Sequence, residues 1–116
     1  MPLVLMLRHA GPVAVVGVRG PLTLSPTLRG FKKQIERFCT AETTSVVLNL
    51  AEVSEMDSAG IGELVAMYSS AKRRGADVAL VGIHPRLREM LRLTRVDALF
   101  TIYDDEAAAI AGLTGH

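Results

Sequence analysis

Val46-Val47-Leu48-Asn49-Leu50-Ala51-Glu52-Val53-Ser54-Glu55-Met56-Asp57-Ser58-Ala59-Gly60-Ile61-Gly62 holds a strand, a short loop and a helix start in succession. Val46 to Leu50 is a short apolar run, which suits a central strand covered on both faces. The helix that follows starts at Asp57 or Ser58, two residue types that cap free backbone N–H groups at helix N-termini. Capping accounts for those two residues but not for the next ones. Ala59, Gly60 and Gly62 fill the first turn, where glycine costs about 0.5–1 kcal/mol relative to alanine. Small residues there leave the backbone bare, so that another chain can approach Ser58 closely.

Working outward, Leu3 to Leu7 and Val13 to Val18 are β-rich runs separated by Ala10, Gly11 and Pro12, which predicts a hairpin. Ser25 and Pro26 form a helix start, and Leu28, Phe31, Ile35 and Phe38 continue it at helical spacing as one amphipathic helix. After the helix that opens at Ser58, the stripe Ile61, Leu64, Val65, Tyr68 and Ala71 ends at Lys72, Arg73, Arg74 and Gly75. Val78 to Val81 predicts another buried strand. Pro85 opens a helix with Leu87, Met90, Leu91 and Thr94 on one side. Leu99 to Tyr103 predicts a last strand, and Asp104, Asp105 and Glu106 lead an Ala-rich helix into Leu113. The expected fold class is α/β: a single domain over 1–116, with an opening β-hairpin, then strand–helix units. It has a mixed sheet of about five strands and about four helices.

Composition bounds the function. A chain of 116 residues buries roughly 60–70% of the surface its unfolded form exposes. With 49% hydrophobic residues it needs no metal or disulfide to hold a core. Aromatic content is 4% with no Trp, which argues against base-stacking platforms for nucleic acid. Thirteen basic and twelve acidic residues leave a net charge of +1, so bulk attraction to phosphate backbones is not the working mechanism. Cys39, the one cysteine, reads as a small apolar residue. Met1 to Leu7 lacks a basic start and a cleavage site, and no apolar run approaches the ~20 residues that span a bilayer. The expected setting is soluble and cytoplasmic, away from membranes.

The stretch from Val46 to Gly62 strongly resembles the core motif of the STAS domain, named for sulfate transporters and anti-sigma-factor antagonists. The match is the strand Val47-Leu48-Asn49-Leu50, the Asp57-Ser58 pair, a small residue, and Gly60-Ile61-Gly62. It extends through the hairpin, Gly75-Ala76-Asp77-Val78, and the Pro85-Arg86-Leu87 helix. Short chains of this kind resemble the anti-sigma-factor antagonists of bacterial partner-switching systems. The resemblance implies that Ser58 is the phosphoacceptor of an anti-sigma factor with serine kinase activity. Capture of that partner by the unphosphorylated form then releases a sigma factor, and phosphorylation ends the capture. The implied partner-binding residues are Thr23, Asp57, Ser58, Ala59, Gly60, Ile61 and Gly62, and the implied free state is a monomer. Family members often carry Asp in a Gly-x-Leu-Asp pattern after the second strand; here the run is Gly20-Pro21-Leu22-Thr23, a hydroxyl without a charge.

An enzyme reading lacks support. Ser58 is not in a Gly-x-Ser-x-Gly elbow, no Walker-type loop is present, and no cofactor or catalytic residue is expected. A receiver domain needs further carboxylates after its first strands to hold Mg²⁺, and Arg8-His9 and Arg19-Gly20 offer none. His9, His84 and His116 have no ligand spacing, so no metal site is expected, and His84 reads as a helix-entry residue. Lys72, Arg73 and Arg74, and the series Arg86, Arg88, Arg92 and Arg95, read as helix-end charges and solvated faces. Two alternatives stay within the fold: an unphosphorylated scaffold or docking subunit, and a nucleotide-sensing domain.

Overall fold

The structure, a computed structural model, describes residues 2–114. Met1 and His116 lie outside the described residues. The strands are β1 (Val4–Ala10), β2 (Val13–Arg19), β3 (Ser45–Glu52), β4 (Asp77–Val81) and β5 (Thr101–Tyr103). The helices are α1 (Pro26–Arg29), α2 (Phe31–Phe38), α3 (Ser58–Arg73), α4 (Pro85–Leu93) and α5 (Glu106–Thr114), with a 3-10 turn at Val96–Leu99. The sheet order is β1-β2-β3-β4-β5. β1 and β2 pair antiparallel, and every later pair is parallel. The mixed sheet and opening hairpin are as expected.

Gly11 at φ 59° precedes Pro12, whose ring fixes φ near about −65°, and Ala10 faces Val13 across this two-residue turn. β3 lies at the centre. Val46, Val47 and Leu48 are fully buried because both faces are covered. On one face β2, β3 and β4 pack through Val16, Leu48 and Leu80 against Leu28, Phe31, Leu64 and Leu91 of α1–α4. On the other, Val15, Val47, Ala79 and Val81 meet Ala109 of α5. Beyond α5 this second face stays open as a trough of about 400 Å³ over Met6, Gly17, Asn49 and Ala51.

Two local features differ from the expectation. The helix predicted from Ser25 through Phe38 is divided at Gly30, which ends α1 and opens α2, so the described residues hold five helices rather than about four. Leu28, Phe31 and Ile35 still bury one continuous face, which is why the spacing looked unbroken. The last strand begins at Thr101, not Leu99. Arg95 adopts a left-handed φ of 62°, turning the chain into the 3-10 segment, and Phe100 sets its ring edge-on to Tyr68 with centroids 5.3 Å apart.

Candidate functional site

Asp57 is the N-cap of α3, and Ser58 is its first helical residue. The Asp57 carboxylate has two tasks. Its Oδ1 accepts from the Gly60 N–H at 3.0 Å, closing the first turn of α3. Its Oδ2 accepts from the Leu24 N–H at 3.0 Å, tying in the loop that leaves β2. These donors, Leu24 foremost and then Gly60, hold the carboxyl below its ordinary range. Asp57 therefore stays an anion near neutral pH.

The two loops are zipped together by backbone. The Leu22 N–H donates to the Glu55 carbonyl at 2.9 Å, and the Asp57 N–H donates to the Leu22 carbonyl at 3.2 Å. Leu22 and Met56 form a parallel bridge, and both are buried. At Gly60 an added Cβ would lie 1.9 Å from the Leu22 carbonyl oxygen. Gly60 is small because the loop occupies the space a side chain would need. This corrects the reading of a first turn kept bare for an incoming chain; only Gly62 is exposed with nothing within 4 Å of its Cβ position.

The expected partner-binding residues thus form one continuous site with two layers. Ser58 and Gly62 are exposed, Thr23, Asp57 and Ala59 are half-buried, and Gly60 and Ile61 are buried beneath them. The Ser58 hydroxyl makes no hydrogen bond among the described residues, while its neighbour Asp57 is fully engaged. Apart from the capping Asp57, no acidic side chain lies in the first turn of α3, so an anion added at Ser58 also gains from the N-terminal dipole.

Leu24 escaped the sequence reading. It is 66% exposed and belongs to the site through its hydrogen bond to Asp57. Its signal was present: a large apolar residue between Thr23 and the helix cap Ser25, outside any periodic pattern. His84 caps α4 as expected, its Nδ1 accepting from the Arg86 N–H at 3.0 Å. Among the basic groups, Lys72 pairs with Asp77 at 3.1 Å, Arg92 pairs with Glu89, and Arg74 donates to the Glu36 carbonyl. Cys39 is half-buried just after α2, and burial pushes its thiol up, away from reactive thiolate chemistry.

The STAS domain family model matches residues 5–109. The anti-sigma F factor antagonist of Paenibacillus polymyxa is 24% identical over 113 residues, covering 97% of each chain. The anti-sigma factor antagonist SpoIIAA in its unphosphorylated form superposes with a TM-score of 0.74 at 18% identity, covering 97% of this chain and 100% of that one. Murine Slc26a9, an anion transporter, superposes with a TM-score of 0.81 at 19% identity over 94% of this chain and only 19% of its own. No helix among the described residues is long and apolar enough to cross a membrane. With the turn of its hairpin, its central strand and its Asp57–Gly62 turn all inside the matched span, the chain belongs to the STAS domain family.

Proposed function

We propose that this chain is an anti-sigma-factor antagonist whose binding is switched at Ser58. The unphosphorylated form captures an anti-sigma factor with serine kinase activity and so releases a sigma factor. Phosphorylation of Ser58 ends the capture. The observation that carries this reading is the pairing of an exposed, unbonded Ser58 hydroxyl with an Asp57 already committed to the fold. Its relatives' roles as antagonists of anti-sigma factors support it.

The physics of the site suits such a switch. A phosphoserine adds about −1.5 to −2 charges at neutral pH. At the first residue of α3 that charge is favourable to the helix dipole, so the fold keeps its stability. Inside a closed interface the same charge beside Asp57 is costly through repulsion and desolvation. Binding is therefore regulated without unfolding, and the role is regulatory rather than catalytic.

The test is incubation with purified anti-sigma factor kinases and Mg-ATP, with the phosphate located by mass spectrometry. Phosphate on Ser58 separates a switch from a passive scaffold. Ser58→Asp should melt within about 2 °C of wild type yet lose most of its partner affinity. An unmodified Ser58, or Ser58→Asp binding as tightly as wild type, would overturn the proposal.

A further inference from the structure

We propose that Leu24 is the residue that selects the partner: an apolar knob that seats in an apolar socket of the anti-sigma factor, next to the contact at Ser58. This rests on the reading of the Ser58 site given above. Single exposed apolar side chains are ordinary on protein surfaces, and exposure alone would say nothing. Leu93 is equally exposed, at 69% against 66% for Leu24, but it ends α4 and no hydrogen bond ties it to the site.

Three observations set Leu24 apart. Its backbone N–H is held by the same carboxylate that caps the helix carrying Ser58. The chain before it is fastened by the two backbone bonds of Leu22 and by the buried Leu22 side chain. An exposed leucine on a fixed main chain loses less freedom on binding than one on a loose loop. Finally, the neighbouring Thr23 is half-buried and uncharged. With Thr23 uncharged and the Asp57 carboxylate already taken up by backbone N–H groups, the exposed Leu24 side chain is what this corner offers a partner. Full burial of such a side chain corresponds to about 10- to 100-fold in affinity.

The experiment is calorimetric titration of each anti-sigma factor with serine kinase activity from the source genome, purified, against the full chain. Wild type, Leu24→Ala, Leu24→Met, Leu93→Ala and Ser58→Asp are compared, each with its melting curve. Leu24→Ala should bind at least 10-fold more weakly, Leu24→Met should restore most of the affinity, and Leu93→Ala should stay within 2-fold of wild type. All Leu24 and Leu93 variants should melt close to wild type. If Leu24→Ala binds normally while Ser58→Asp does not, the role of Leu24 is overturned and the switch stands. If both bind normally, or if no anti-sigma factor binds wild type, the reading of the site falls as well. A wild-type dimer in sedimentation that Leu24→Ala dissolves would assign the knob to self-association and overturn the partner role.

Discussion

A methyl group added at Gly60 would lie 1.9 Å from the Leu22 carbonyl oxygen, whereas at Gly62 it would meet nothing within 4 Å. Gly60→Ala must therefore push the loop or the helix aside and should cost about 1–3 kcal/mol. Gly62→Ala, on the open side of the same turn, should gain about 0.5–1 kcal/mol from helix propensity alone. Urea unfolding of the two variants checks both signs. Asp57 gives a pH-dependent counterpart. Its folded value is depressed, so its stabilising effect is complete above its unfolded value of about 3.9 and is lost as pH falls through the folded value. Asp57→Asn should be less stable than wild type at pH 7, and the gap should narrow steadily as pH falls below about 3.9; a constant gap would show that the charge is irrelevant. In the sequence the two glycines and the Asp57-Ser58 pair were legible as a motif, but their division of labour was not. The partner of Gly60 is a carbonyl contributed from Leu22, and no local spacing reveals so distant a neighbour.

Helices and strands were read more securely than their ends. The strand cores Val46 to Leu50 and Val78 to Val81 were visible because apolar runs record burial on both faces. The break at Gly30 and the turn at Arg95 were not, because each is decided by backbone geometry while the flanking apolar residues keep their spacing. α5 shows a further link that sequence hid. Glu106 Oε1 accepts from Arg8 of β1 at 2.6 Å, and Glu106 Oε2 accepts from Asn49 of β3 at 2.8 Å. Those bonds, Asn49 foremost, hold the Glu106 carboxyl below its ordinary range. The polar residue within the central strand thus anchors the last helix. Glu106→Ala should cost about 1–2 kcal/mol and speed amide exchange in α5 ahead of that in β3.

Among the described residues, the sheet has one face covered by four helices and the other by the nine-residue α5. Amides of β2, β3 and β4 should exchange only on global unfolding, and those of α5 through a cheaper local opening. Native-state hydrogen exchange at increasing urea would show two sets of slopes; one common slope would mean that α5 and the sheet open together. Ser58 lies on the well-covered side, on α3, so a charge placed there should leave the opening of α5 unchanged. The contact between Gly60 and the Leu22 carbonyl has a consequence for how copies of this gene diverge. Backbone fastens the frame of the site, so mutation can rewrite its outer side chains one at a time without loss of the fold. Under the switch proposed at Ser58, a cell carrying several such proteins would keep its signalling circuits apart by drift at Leu24 and Thr23, each circuit insulated from the next.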